Sequence, residues 1–471
     1  MLQIQLRRLS LLALLAVGSV AAQEARPNIV LIMADDLGIG ELGCYGQTKI
    51  RTPNIDALAA QGMRFTEAYS GSCVCAPARC TILMGQHTGH CYVRDNKELD
   101  GFQRGNREGQ EPLPADTPTL GRWLQARGYA TAAVGKWGLG GPETTGVPWE
   151  QGFDLFYGYL CQRQAHNYYP EHLWRNDQKV ELEGNAWHNL TGAHYAPDLM
   201  LEEALGWLRK HTEAPFFLYY ATPVPHAALQ VPDDSLQEYA TAFDEEPYEG
   251  KKGYLPHPKP RAAYAAMVTR MDRDIGRILE LLDELGHRDD TLVVFTSDNG
   301  PTFNGGTDSA FFGSAQGRRG LKCQLYEGGI RAPLVARWPG RIAPGTTSAH
   351  ICAHWDLWST FADAIGETAP ADLDGVSFLP TLLGKGAQRQ HHHLYWEYHA
   401  GGGVQAARLG RWKAVRRQAK KPEKARLELY DLEADPAEAH DVAEAHPDVV
   451  EEVEKVFATR TRSPVAAWNF Q

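Results

Sequence analysis

"NIVLIMADD", residues 28–36, carries six apolar residues in a row and then two aspartates. A run that short and apolar reads as a β-strand, and the two carboxylates follow it at once. The same arrangement recurs three times. "YATAAVG" (129–135) is followed by Lys136, "PFFLYYA" (215–221) ends shortly before His226, and "TLVVFTS" (291–297) runs into Asp298 and Asn299. Helical patterns lie between these runs. Residues 117–128 read as a helix with Thr117 as N-cap and Gly128 as its stop. Residues 197–214 read as a second helix and residues 264–286 as a long amphipathic one. This alternation predicts an α/β domain on a mostly parallel sheet. Ligands of open α/β sheets bind outside the carboxyl ends of the strands, so residues distant in sequence are expected to meet along one edge.

The chain of 471 residues exceeds what one small core serves, and past residue 375 its character changes. Residues 391–417 and 426–443 look like short strands joined by Gly-rich and Asp-Pro turns, with a helix from about His446 to Thr459. The expectation is a large domain over 23–375 and a small antiparallel α+β subdomain over 376–471. Residues 142–195, rich in aromatics and His, read as an irregular connection, and long loops on such scaffolds often carry substrate contacts. At the start, Arg7 and Arg8 precede an apolar run and then small residues, the pattern of a signal peptide over 1–22. That run is shorter than the roughly 20 residues a membrane span needs. No later run is long and apolar enough, so the chain is expected to be exported, periplasmic or secreted, with no membrane span. A formal net charge of -11 argues against a polyanion-binding groove, and so against a nucleic-acid partner. A few cations in one pocket would still suffice for an anionic substrate.

Asp35, Asp36, Asp298 and Asn299 are oxygen donors at strand ends. If they converge, each pair of like charges at ~4 Å and an effective dielectric of about 20 costs roughly 4 kcal/mol. A hard divalent cation relieves that, and calcium takes about 6–8 oxygen ligands, amides included. Taken singly, the same residues are ordinary helix caps or turn formers. Cys73, Cys75 and Cys80 crowd one stretch, but without the paired spacing of structural zinc sites. Pro77 is preorganised for the first turn of a helix, which would put Cys75 at a helix N-terminus that favours anions, with Arg79 one turn along. A plain cysteine nucleophile also fits this position, although no base is identifiable beside it.

"CAPAR" (75–79), with Met84-Gly85 downstream, resembles the Cys-x-Pro-x-Arg signature of the type I sulfatases, formylglycine-dependent enzymes of the alkaline-phosphatase-like superfamily. "PNIVLIMADDLG" (27–38), "GKWGLG" (135–140), "SDNG" (297–300), "LKCQLYEGGIRAP" (321–333) and "LYDLEADPAE" (429–438) resemble further landmarks of that family, in order. The resemblance implies the alkaline-phosphatase-like α/β fold with a small C-terminal subdomain. It also implies that a maturation enzyme oxidises Cys75 to formylglycine, whose hydrate supplies the attacking oxygen. By the same resemblance Asp35, Asp36, Asp298, Asn299 and the matured Cys75 would hold calcium, and Arg79, Lys136 and Lys322 would hold the hydrate and sulfate oxygens. His226 would protonate the leaving alcohol. A lone His or Lys is otherwise a surface residue, and it is position relative to these motifs that singles out His226 and Lys322.

Two departures from the family pattern stand out. Ala78 replaces a common serine, which the looser signature permits. Gly138 stands where many members carry a histidine associated with expelling sulfate from the hemiacetal. His166 and His172 lie in the long connection, and His166 is the expected substitute or substrate contact. The reading is an exported, calcium-dependent sulfatase acting on a sulfated carbohydrate. A phosphonate monoester or phosphodiester hydrolase of the same superfamily is the alternative, with a catalytically inactive sulfated-glycan-binding protein as a third.

Overall fold

The computed structural model describes residues 26–99, 108–213, 215–251 and 253–470. The expected signal peptide lies outside them. Four strands come first: β1 (Asn28–Ala34), β2 (Met63–Phe65), β3 (Ala68–Tyr69) and β4 (Ala130–Lys136). Next are β5 (Leu155–Tyr159), β6 (His172–Arg175), β7 (Gln178–Glu181) and β8 (Phe216–Ala221). β9 (Thr291–Ser297), β10 (Leu334–Arg337), β11 (Thr346–Ser348) and β12 (Cys352–Ala353) complete the large domain's strands. Ten of these form one sheet in the order β11-β2-β10-β9-β1-β8-β4-β5-β6-β7, while β3 and β12 pair separately. At its centre β9, β1, β8, β4 and β5 run parallel.

Alternation explains why β1 is apolar throughout. Val30, Ile32 and Ala34 face one core with the helices Ala196–Leu208 and Pro260–Glu284. Ile29, Leu31 and Met33 face another with the helices Cys75–Met84 and Asp356–Ala364. A strand covered on both faces has no polar side to show, and this is the pattern of a parallel sheet between helical layers. Among the described residues no helix is long and apolar enough to cross a membrane.

Three details differ from expectation. The helix expected from Thr117 starts at Leu120, and Thr119 is its N-cap, its Oγ1 accepting from the Arg122 amide at 3.4 Å. Thr117 instead offers its carbonyl to the Arg122 guanidinium. The helix expected over 197–214 stops at Leu208, and the next amides turn back in short turns, Lys210 to the Trp207 carbonyl and His211 to that of Leu208. The stretch 142–195 is not one irregular connection, since β5 extends the parallel run and β6 and β7 add an antiparallel ribbon beside it. Downstream, β13 (Leu394–Tyr398), β14 (Val404–Leu409), β15 (Trp412–Arg417) and β16 (Arg426–Asp431) form an antiparallel four-stranded sheet. The helix Pro447–Phe457 packs on it through Val453, Val456 and Phe457. This is the small α+β unit the sequence suggested.

Candidate active site

Parallel neighbours β9, β1, β8 and β4 bring their carboxyl ends to one edge, and every strand-end residue singled out in the sequence arrives there. Asp35 and Asp36 follow β1, Asp298 and Asn299 follow β9, Lys136 closes β4, and His226 lies beyond β8. Asp36 takes a left-handed φ of 66°, a conformation that costs free energy for a residue with a side chain and recurs at functional sites. Its amide donates to Asp298 Oδ1 at 3.1 Å, which ties the two strand ends together.

Cys75 is the first residue of its helix, as the Pro77 reading required, and Arg79 stands one turn along. The thiol lies 3.5 Å from Asp35 Oδ1. Arg79 reaches Asp298 at 2.8 Å and Asp35 at 3.2 Å, and its other nitrogen donates to the Lys136 carbonyl. Lys136 Nζ sits 2.5 Å from Asp35 and Lys322 Nζ 2.8 Å from Asp36. His226 Nε2 is 3.5 Å from Asp36, while its Nδ1 contacts the Ala227 carbonyl. Three carboxylates are thus met by three basic side chains, all buried.

This packing sets the ionisation. Burial alone would raise the Asp35 carboxyl, but Lys136, ahead of His226, Arg79 and Lys322, holds it well below the carboxylate range. Asp298 is pushed up by burial and by Asp35 beside it. Burial, with Asp35 next, raises the Cys75 thiol. Burial lowers Lys322, yet Asp36 and the other anions more than restore it. Burial and then Lys322 lower His226; burial and then His226 lower His166. The two imidazoles stack at 4.6 Å, and Tyr254 stacks on His166 at 5.4 Å. His166 therefore belongs to the site, whereas His172 points elsewhere, onto Glu108 at 2.9 Å.

The donors suit a hard cation. Asp35, Asp36 and Asp298 offer carboxylate oxygens, and the buried Asn299 Oδ1 has no hydrogen-bond partner although its Nδ2 donates to Asp36 at 2.8 Å. An amide oxygen without a partner among carboxylates is what an oxygen-coordinated ion such as calcium needs.

One residue escaped sequence reading. Gly138 has φ of 82°, and a Cβ built there would lie 1.7 Å from Gln162 Nε2. Gln162 therefore fills the space a side chain at 138 would take, and neither of its buried amide atoms has a partner. No motif marks it, since it lies in the turn just past the end of β5 and reaches Gly138 only through the fold. Cys73 and Cys80 are buried thiols.

The sulfatase family model matches residues 27–367, and the model described as N-sulphoglucosamine sulphohydrolase, C-terminal, matches 321–462. Arylsulfatase A of Homo sapiens is 35% identical over 430 residues, covering 86% of this chain and 77% of that protein. N-acetylgalactosamine-6-O-sulfatase of Bacteroides thetaiotaomicron is 30% identical, covering 93% and 94%. The crystal structure of Ps i-CgsB in complex with k-i-k-neocarrahexaose superposes with a TM-score of 0.78 at 28% identity, covering 95% of each chain. With a family model spanning most of its length and relatives at this identity, the chain belongs to the sulfatase family, sulfuric ester hydrolases of the alkaline-phosphatase-like superfamily.

Proposed function

We propose that the protein is an exported sulfatase that removes sulfate from a sulfated carbohydrate, using calcium and a formylglycine made from Cys75 by a maturation enzyme. The observation that carries this reading is the buried set of Arg79, Lys136 and Lys322 closing on three strand-end carboxylates around Cys75. The carbohydrate reading rests on relatives named for N-acetylgalactosamine sulfate and on the neocarrahexaose complex. Export rests on the pattern of residues 1–22.

Formylglycine supplies the attacking oxygen, and calcium supplies a Lewis acid for the sulfuryl oxygens. The chain does the rest. Lys136 and Lys322 pair with Asp35 and Asp36, and can turn to an incoming sulfate, whose negative oxygens they stabilise. Arg79 braces Asp298 and Asp35 and so fixes the strand ends. With Nδ1 engaged by the Ala227 carbonyl, His226 presents Nε2 to the crevice beside Asp36; protonated there once the substrate's negative charge offsets Lys322 and Lys136, it passes that proton to the leaving sugar oxygen. His166, stacked on His226, takes the place of the missing histidine as proton acceptor. Gln162 is too weakly basic for that role and can only hydrogen-bond.

The test is the mass of the Cys75 peptide together with initial rates. Formylglycine at Cys75, rates on sulfate esters far above those on phosphate and phosphonate esters, and loss of both metal and rate on chelation are expected. In His166→Ala, kcat should fall about 100-fold with KM nearly unchanged. An unmodified thiol in active protein, or a preference for phosphonate esters, would overturn the reading. A His166→Ala defect confined to KM would remove its role as base.

A further inference from the structure

Beside the reaction centre lies an open cleft of about 580 Å³, lined by Tyr248, Tyr254, Phe303 and a carboxylate-rich rim. Two contacts of its wall place it against the centre. Tyr254 stacks on His166, and Gly305, on the cleft wall, comes so close to Ala227, the neighbour of His226, that an added Cβ would lie 2.3 Å from the Ala227 methyl. Phe303 is 49% exposed and is the large hydrophobic residue left in solvent among those described. Nothing about its loop is loose. Thr307 donates to the Asn304 carbonyl through both its amide and its hydroxyl, and Ser309 to the Thr302 carbonyl. The loop begins directly after Asp298-Asn299, so an exposed ring on a hydrogen-bonded loop stands a few residues from the expected ion ligands.

The charges on the rim are unevenly spent. Arg261 is bound to Asp308 at 2.8 Å and to the Asp244 carbonyl, and the Glu245 carboxylate caps the Arg261 and Ala262 amides. The carboxylates of Asp244 and Glu246 remain exposed, against the Lys251 ammonium. An exposed aromatic face beside free carboxylate acceptors matches a polyhydroxylated ring. Its C–H face packs on the arene, and its hydroxyls donate to the carboxylates. A second sulfate or a uronate at the same place would meet the acidic side of the rim.

We propose that this cleft is a saccharide subsite, with Phe303 as the stacking platform and Asp244 and Glu246 as hydroxyl acceptors, selecting an uncharged sugar ring next to the sulfate that is removed. This deepens the sulfatase reading and rests on it for the position of the scissile group. Binding is read without turnover by calorimetry of N-acetylgalactosamine 6-sulfate with a Cys75→Ala chain. Adding Phe303→Ala should weaken Kd about tenfold, the upper range of a single aromatic contact. D244N/E246Q should weaken it by a similar factor. In the otherwise native enzyme, Phe303→Ala should leave kcat on 4-nitrophenyl sulfate within about twofold, which shows an intact reaction centre. An unchanged Kd in both variants would overturn the subsite. Normal, Phe303-dependent binding by a chain whose native form hydrolyses neither sulfate would instead remove the sulfatase reading and leave the subsite standing.

Discussion

Gly138 shows how much one missing side chain can demand of its surroundings. Its positive φ disfavours any L-residue, and Gln162 already occupies the volume its Cβ would need. Gly138→Ala is therefore expected to cost about 1–3 kcal/mol of unfolding free energy, from overpacking added to backbone strain. Urea denaturation measures it, and Gln162→Ala in the same chain should return part of the loss by removing the obstacle. Equal losses in both backgrounds would show that the contact is not the cause. Asp35, Asp36, Asp298 and Asn299 were legible in the sequence because apolar strands end on them, and Cys75 because Pro77 and Arg79 frame it. Gln162 and Phe303 were not. An orphan amide and a solvent-exposed ring acquire meaning only when the fold shows what stands opposite.

At the scale of the element, the helix Pro260–Glu284 carries a pH dependence unrelated to the reaction centre. Asp274 on its buried face is raised by burial, then by Asp198 nearby, from 3.8 to about 7, with Arg270 pulling the other way. Arg270 is committed to Asp198 at 2.7 Å. Because the folded value lies above the unfolded one, the native state holds the extra proton between those limits. Stability then falls as pH rises from about 4 to about 7. Asp274→Asn should abolish this term and leave the variant roughly 2–4 kcal/mol more stable than the parent at pH 8, with little difference at pH 4. Thermal or urea unfolding at the two pH values decides it, and a variant no more stable at pH 8 would refute the account. The helix itself was plain from its periodicity. The strands hidden in 142–195 were not, because β6 and β7 form a largely exposed ribbon without an apolar run to announce it.

Across the whole molecule, the C-terminal sheet and the loop behind the Cys75 helix are locked at one buried carboxylate. Glu397 on β13 receives Arg94 at 3.0 Å, Arg460 at 2.6 Å, His399 at 2.9 Å and the Tyr395 hydroxyl at 2.8 Å. Burial would raise it, but His399, then Arg460 and Arg94, hold it down to about 2. Its stabilisation is therefore complete above about pH 4.5 and lost as pH falls toward 2. Glu397→Gln leaves the buried Arg94 and the partly exposed Arg460 guanidinium groups short of charge and should cost about 3 kcal/mol. A loss below ~1 kcal/mol in urea unfolding would refute the claim that this node joins the two units. The burial of Cys75 also has a consequence in time. Cys75 is 1% exposed in the folded chain, set deep among strand ends that meet only when residues near 35, 136, 298 and 322 are all in place. A maturation enzyme acting on the segment around Cys75 would find residues 75–83 of the helix all buried once that assembly has formed. The oxidation proposed for Cys75 would therefore have to precede closure of the fold around it, so the interval before folding would set when the protein can become active.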